Sequence, residues 1–307
     1  MTTPMQHWFT YPLLSHPYDP AFVSKEAVGR IARAAEDAGF DGIGFTDHPA
    51  PSDRWLQAGG HDALDPFSVL SFVAAITDRL RLIPNIMVLP YRNPFLVAKA
   101  AATIDALSDG RFTLSTAVGY QRAEYDALGV AYDERNDLFD EAVEVLQGIW
   151  TTDDFSFDGR HFRARGQTAN PKPGRVPLWI GGNSRRSRQR VVDVGDGWNP
   201  FPSPASLSRT TRTPPLESID DLARLLDDLW YRAQDAGRDR SEIDVSFICQ
   251  SGGSPGSAAF ELDAHLEGLA RLAALGVTWN LVAVPGDSVD HAVETLHRYG
   301  EDVIGAG

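Results

Sequence analysis

The sequence is poor in the residues on which many specialised classes of protein depend. Cys249 is the only cysteine in 307 residues, which excludes a disulfide within the chain and a cysteine-rich metal site. Lysine occurs only at Lys25, Lys99 and Lys172, and the formal net charge is −14. Because affinity for nucleic acids rests mainly on lysines and arginines that neutralise phosphates, no nucleic-acid partner is expected.

Long apolar segments are also missing. No stretch approaches the roughly 18 consecutive apolar residues typical of a membrane-spanning helix. Residues 1–12 have neither the basic start nor the apolar centre of a secretion signal. We therefore expect a cytoplasmic protein that does not interact with membranes. The remaining composition, 43% hydrophobic and 23% charged, is typical of a folded globular protein.

What the sequence does contain is a regular alternation of short apolar or β-branched runs with segments of helical period. This alternation is typical of βα units around a parallel sheet, and eight candidate strands favour a closed (β/α)8 barrel over an open sheet. We therefore predict an α/β protein in which residues 1–307 form one TIM-barrel domain. The predicted strands are 6–11, 41–46, 80–88, 111–117, 176–181, 196–201, 243–249 and 277–284.

Two regions interrupt the alternation. Residues 155–162 alternate aromatic and polar side chains around Asp158-Gly159, which predicts a β-hairpin inserted after the fourth βα unit. Residues 202–216 are rich in Ser, Thr, Pro and Arg and are predicted to form a loop region, either an ordered lid or a mobile loop.

A glycine-rich segment follows the fifth predicted strand, at the end of the barrel where active sites lie. Gly181-Gly182-Asn183-Ser184 precedes a predicted helix. Backbone N–H groups at a helix start bind phosphate with the help of the helix dipole, and glycine allows the phosphate to approach closely. The same pattern also fits an ordinary loop that is capped by Asn183 or Ser184.

A second candidate, Asp47-His48, comes directly after the second strand. Histidine titrates near neutral pH and suits acid-base work, and Asp47 is predicted to orient its ring. Alternatively, Asp47 caps a loop and His48 is simply packed or solvated. The sequence has no His-x-x-x-His or His-x-His pair, so no metal site is predicted. Asp47, His48 and His61 nevertheless leave a metal-dependent barrel hydrolase as an open alternative.

The third and fourth strands also end near the expected site. Asn85-Ile86 lies in an apolar stretch between prolines, which is equally compatible with a buried strand. The fourth strand ends in small residues before Gly119-Tyr120, where either a flat ring approaches the backbone or a helix packs closely on the strand.

In this order, the segments resemble the luciferase-like monooxygenase superfamily of flavin- and deazaflavin-dependent oxidoreductases. The resemblance covers about residues 20–201, and it extends more loosely to the last strand and helix. It is carried by residues 35–41, 46–48, 93–94, 107–112, 177–184 and 195–198.

The resemblance implies a (β/α)8 barrel with an insertion, usually a homodimer, with the cofactor ring at the C-terminal mouth. It implies that Gly181, Gly182, Asn183 and Ser184 hold the cofactor phosphate. A non-prolyl cis peptide is implied at Asn85-Ile86 beside the ring, and Gly119 and Tyr120 are expected to contact the cofactor as well.

Asp47-His48 resembles the step found in the coenzyme F-420-dependent branch. This implies hydride transfer between that deazaflavin and a small organic substrate, with His48 as proton donor or acceptor and Asp47 orienting it. FMN is the alternative cofactor, in a monooxygenase that obtains reduced flavin from a separate reductase. A non-catalytic flavin-binding barrel is a third alternative.

One position departs from the deazaflavin-dependent sugar-phosphate dehydrogenases of this superfamily. In those enzymes a glutamate follows the glycine at the end of the fourth strand, and lysines bind the substrate phosphate. Here Tyr120 takes that position and no lysine follows Lys172. A substrate other than a phosphosugar is therefore expected.

Overall fold

A computed structural model describes residues 4–206, 208 and 212–305 of the chain. Its strands are β1 (Gln6–Thr10), β2 (Gly42–Phe45), β3 (Arg81–Pro84), β4 (Met87–Val88), β5 (Leu114–Ala117), β6 (Phe155–Asp158), β7 (Arg163–Gln167), β8 (Leu178–Gly181), β9 (Gly197–Asn199), β10 (Asp244–Ile248) and β11 (Trp279–Val282). Its principal α-helices are α1 (Lys25–Asp37), α2 (Asp53–Gln57), α3 (Pro66–Ala74), α4 (Pro94–Leu107), α5 (Arg122–Ala127), α6 (Arg135–Thr151), α7 (Arg185–Val194), α8 (Ile219–Asp235), α9 (Leu262–Leu275) and α10 (Val289–Tyr299).

The parallel strands form a nearly closed barrel surrounded by helices. Their order is β3-β2-β1-β11-β10-β9-β8-β5-β4, and every pairing between neighbours is parallel. Strands β3 and β4 are two halves of the third barrel strand, and a bridge between Leu82 and Phe112 joins β3 to the segment that leads into β5. The structure therefore confirms the predicted α/β barrel, and each predicted strand range contains an observed strand.

The helices lie on the barrel through their apolar faces. In α1, Val28, Ile31 and Ala35 are buried, and the Ser24 side chain caps the helix by accepting a hydrogen bond from the N–H of Ala27 at 3.1 Å. Within the described ranges, none of the helices combines the length and apolarity that a membrane span requires.

Tryptophans fill the interior of the barrel. Trp179 lies edge-on to both Trp8 and Trp279, with ring centroids 6.1 and 5.3 Å apart, and all three are buried. Gly44 makes room for them, because a Cβ at this position would lie 2.8 Å from the Trp8 ring. The interior is therefore a packed core, as in other barrels of this type.

Two segments depart from the βα repeat, as predicted. Strands β6 and β7 pair antiparallel, which places a hairpin between the fourth and fifth barrel strands. In the 202–216 segment, Ser203 and Leu216 exchange backbone hydrogen bonds of 3.0 and 2.9 Å, so its two ends lie side by side. Residues 207 and 209–211 of this predicted loop lie outside the described residues.

Candidate active site

A cavity of about 350 Å³ opens at the carboxyl ends of the barrel strands. Its volume lies within the range of about 300–1,000 Å³ that is usual for small-molecule sites. The structure brings together all of the predicted site residues except Asn183. Those that line the cavity are Asp47, His48, Asn85, Ile86, Gly119, Tyr120, Gly181, Gly182 and Ser184.

His48 contacts a buried carboxylate at one end of the cavity. Its Nδ1 lies 3.0 Å from Oε2 of Glu124, a fully buried side chain on α5. The Glu124 carboxylate also accepts hydrogen bonds from the hydroxyl of Tyr91 at 3.0 Å and the N–H of Ala50 at 3.2 Å. Because a carboxylate is an acceptor, Nδ1 carries the proton and Nε2 is left for the cavity.

The prediction that Asp47 orients His48 is wrong in its geometry. Both carboxylate oxygens of Asp47 accept hydrogen bonds from Arg92, at 2.6 and 2.8 Å, and one also accepts the N–H of Val88 at 2.9 Å. Burial on its own would lower the pKa of Arg92, but the hydrogen bonds and negative charges of Asp47 and Asp65 together outweigh burial and raise that pKa. Asp47 therefore ties the ends of β2 and β4 together, and Glu124, not Asp47, contacts the ring of His48.

Glu124 was not singled out from the sequence. It lies 76 residues from His48, on a short helix in the loop between β5 and α6. The sequence offers one indication of a glutamate near His48: in the related sugar-phosphate dehydrogenases, a glutamate follows the glycine at the end of the fourth strand. Here Tyr120 occupies that place, and the carboxylate comes from the next helix instead.

The third barrel strand changes direction beside the cavity. The peptide bond between Asn85 and Ile86 is cis, as the family resemblance implied. Asn85 donates a hydrogen bond to the Thr10 hydroxyl at 2.6 Å and accepts one from Asn199 at 3.2 Å. Ile86 packs against Gly181, where an added Cβ would lie 2.6 Å from the Ile86 Cδ1 atom. The two residues thus form an apolar wall that is fixed from behind by polar contacts.

The Gly181–Ser184 turn lies at the start of α7. Gly182 has a φ of +97°, which favours glycine, and the Ser184 side chain caps the helix by accepting the N–H of Ser187 at 3.0 Å. Ser184 and Ser187 both line the cavity, as does Arg212. Two hydroxyls that lie 2.9 Å apart and a guanidinium therefore line the cavity beside the start of a helix, an arrangement suited to an anion.

Asn183 is predicted to contact the cofactor, but it does not line the cavity. It is fully buried outside the cavity, and its amide donates to the carbonyls of Phe201 and Pro214 at 2.9 and 3.2 Å. Its own N–H donates to the Thr213 hydroxyl at 3.0 Å. Asn183 therefore holds the turn in place, because its side-chain amide and its N–H are directed at neighbouring loops while its carbonyl accepts a hydrogen bond from Arg188 on α7.

Aromatic rings surround His48. Its ring centroid lies 4.5 Å from that of Trp55, 5.0 Å from that of His61 and 6.5 Å from that of Tyr120. Burial, assisted by nearby Glu124, raises the pKa of Tyr120 to about 12. The Tyr120 hydroxyl therefore stays protonated at neutral pH and is available as a hydrogen-bond donor.

Among the described residues, no arranged set of metal ligands supports the alternative of a metal-dependent hydrolase. Across the described ranges, no group of three or more His, Cys, Asp or Glu side chains is placed to hold a metal ion. Asp47 is engaged by Arg92, while His48 and His61 present their rings to the cavity.

The barrel thus encloses a cavity with a histidine at one end and the start of α7 at the other. The family model of luciferase-like monooxygenases matches residues 6–251. The chain belongs to this family, whose members are flavin- or deazaflavin-dependent oxidoreductases and monooxygenases.

Individual relatives use different cofactors. An uncharacterised protein of Mycobacterium tuberculosis is 28% identical over 255 residues, covering 82% of this chain and 79% of the relative. An FMNH(2)-dependent dimethylsulfone monooxygenase of Pseudomonas putida is 32% identical, over 54% of this chain and 46% of the enzyme. The coenzyme F-420-dependent tetrahydromethanopterin reductase of Methanopyrus kandleri shares the fold, with a TM-score of 0.74 and 17% identity over 99% of each chain.

Proposed function

We propose that this protein is a coenzyme F-420-dependent oxidoreductase that exchanges a hydride with a small organic substrate. The observation that carries this proposal is the buried contact between His48 and Glu124 at the mouth of the barrel. It supplies a proton carrier of fixed orientation beside the apolar wall of Ile86. When bound, a 5-deazaflavin gives or accepts a hydride and reacts poorly with oxygen.

The residues of the cavity suit the phosphate and the ring of such a cofactor. Ser184, Ser187 and Arg212 would hold the phosphate at the start of α7. Ile86 would support the flat ring from one side, and the positive φ of +67° at Gly119 places backbone without a side chain on the cavity surface.

His48 is the group that moves the proton. Oxidation of an alcohol releases the hydroxyl proton along with the hydride, and reduction of a carbonyl requires a proton at the oxygen. Nε2 of His48 can take or give that proton, while the Glu124 carboxylate stabilises the charged ring. Tyr120 supplies a second donor for the substrate oxygen.

A second candidate is an FMN-dependent monooxygenase fed by a separate reductase. The similarity to the FMNH(2)-dependent dimethylsulfone monooxygenase supports it. Backbone N–H groups at a helix start hold the phosphates of FMN and of the deazaflavin equally well, so this end of the cavity does not separate the two cofactors.

Titration of the purified, cofactor-free protein with each cofactor tests the proposal. We expect the deazaflavin fluorescence to report micromolar binding. Micromolar FMN binding with none for the deazaflavin would overturn the choice of cofactor. Hydride transfer between bound F-420 and a panel of alcohols and ketones then tests the reaction.

We further propose that residues 1–307 form a single domain and that two copies assemble as a homodimer. Leu96 and Leu107 lie on the same face of α4, about three turns apart, and each is 71% exposed. Phe72, on the neighbouring α3, is also exposed. Light scattering of the wild type and of Leu96→Asp tests the assembly, and a monomeric wild type would contradict it.

A further inference from the structure

Two histidines border the same end of the cavity, and they are anchored differently. His48 directs Nδ1 at the carboxylate of Glu124, whereas His61 directs Nδ1 at the backbone carbonyl of Asp62, 3.0 Å away. The two ring centroids are 5.0 Å apart. Among the hydrogen bonds of the described residues, none engages Nε2 of either ring.

The carbonyl anchor fixes the form of His61. A carbonyl oxygen only accepts, so Nδ1 of His61 carries the proton and Nε2 presents a lone pair. Burial lowers the pKa of His61, and neighbouring His48 lowers it further against the opposing effects of the Asp62 backbone contact and of the Asp62 and Glu124 charges. The ring is consequently neutral at neutral pH, and its free nitrogen is an acceptor.

Among the described residues, a flat apolar ring lies beside both histidines, and the guanidinium that contacts Asp47 is already paired. Trp55 lies 4.5 Å from His48 and 5.5 Å from His61, centroid to centroid. Arg92, the nearby guanidinium, is paired with Asp47. An anionic substrate beside the two histidines would be repelled by the Glu124 carboxylate, whereas a neutral substrate would not be.

We propose that His61 determines specificity by accepting a hydrogen bond from a hydroxyl or N–H group of a neutral, flat or apolar substrate. This inference rests on the proposed function, since it places the substrate beside His48. It divides the work at this end of the cavity: His48 exchanges the proton of the reaction, and His61 recognises a donor group that is not consumed.

Two probes of nearly the same shape test the inference. Phenol carries the required donor, and anisole replaces the hydroxyl proton with a methyl group. Isothermal titration of both into the protein saturated with coenzyme F-420, and again into the protein saturated with FMN, measures the preference. The preference depends on His61 and not on hydride chemistry, so it can be observed even where the choice of F-420 fails.

Matched variants identify the acceptor. His61→Asn keeps a side-chain N–H that can reach the Asp62 carbonyl but removes Nε2, and His61→Phe keeps only the packing on Trp55. His48→Asn removes the other free nitrogen. His291→Asn is the control, since this histidine contacts Asp287 outside the cavity.

We expect the wild type and His291→Asn to bind phenol about tenfold more tightly than anisole, the upper end for one hydrogen bond. In both His61 variants the two affinities should agree within about twofold, with anisole binding retained. Equal affinities in the wild type, undetectable phenol binding at millimolar concentration, or a preference that survives in His61→Asn would overturn the proposal. A preference lost only in His48→Asn would assign the acceptor to His48 and overturn it too.

Discussion

The two ends of the cavity are built in different ways. At the α7 end, the turn and the helix cap come from one short segment, in which Ser184 caps the helix through Ser187. At the other end, His48, Tyr91 and Glu124 come from three separate loops and meet only in the folded barrel. The helix cap at the start of α7 is therefore encoded in one segment, whereas the contacts of His48 depend on the tertiary structure.

The largest effect on catalysis is expected from removing the side chain of His48. His48→Ala should lower kcat/KM by about 10²- to 10⁴-fold, because a positioned general acid or base contributes about that much. Affinity for coenzyme F-420 should change little, since the phosphate end is untouched. Steady-state kinetics and fluorescence titration measure the two quantities.

His291→Ala is the control for this variant, because it removes another histidine that contacts a carboxylate, 2.8 Å from Asp287, outside the cavity. If His48→Ala retains full turnover, another group moves the proton or the barrel is not catalytic.

Next in size is the carboxylate that contacts His48. Glu124→Gln should lower kcat on the order of 10²-fold with KM nearly unchanged, since the amide no longer stabilises a charged imidazole ring. Glu141→Gln is a matched control: Glu141 also accepts backbone N–H groups, at 2.9 Å from Arg160 and His161, but in the hairpin region. Equal loss in both variants would indicate general damage to the fold.

A substitution in the Gly181–Ser184 turn should weaken binding of the cofactor. Gly182 has a φ of +97°, so Gly182→Ala should lower the free energy of unfolding by about 1–2 kcal/mol. The distorted turn should also weaken coenzyme F-420 binding, by about tenfold, or about 1.4 kcal/mol. Thermal melting with and without cofactor measures both effects.

Gly174→Ala provides the comparison, since a Cβ there meets nothing within 4 Å and its φ is not positive. Unchanged cofactor affinity in Gly182→Ala would remove the turn from the binding site.

The smallest effect is expected at Tyr120, which lies near His48. Tyr120→Phe should lower kcat/KM by about three- to tenfold, the value of one neutral hydrogen bond. Burial raises the pKa of Tyr120 to about 12, so the hydroxyl stays a donor at all lower pH values. The ratio of wild-type to variant kcat/KM should accordingly be constant between about pH 6 and pH 9. A ratio that falls as the pH rises would mean that Tyr120 ionises in this range.

The difference between the two ends also explains what the sequence could predict. Strand positions follow from local apolar runs, and the glycine turn from four consecutive residues. The pairing of Asp47 with His48 was inferred from adjacency, but Asp47 contacts Arg92 instead. Glu124 lies 76 residues from its partner, and no pattern within one segment reports such a contact.

Asn183 illustrates the same limit inside the local segment. Its place in the turn was predicted, but its hydrogen bonds to Phe201 and Pro214 depend on loops that arrive later in the chain. A capping residue and a residue that anchors a turn have the same local sequence pattern, so only the fold separates them.

The position of Glu124 on α5 has a consequence for how this barrel can diversify. Loops between strands and helices accept insertions and exchanges far more readily than barrel strands do. His48 follows a barrel strand closely, whereas Glu124, whose carboxylate contacts it, lies on a helix within a loop. Substitutions in the loop that carries Glu124 can therefore change the carboxylate partner of His48 without altering a barrel strand.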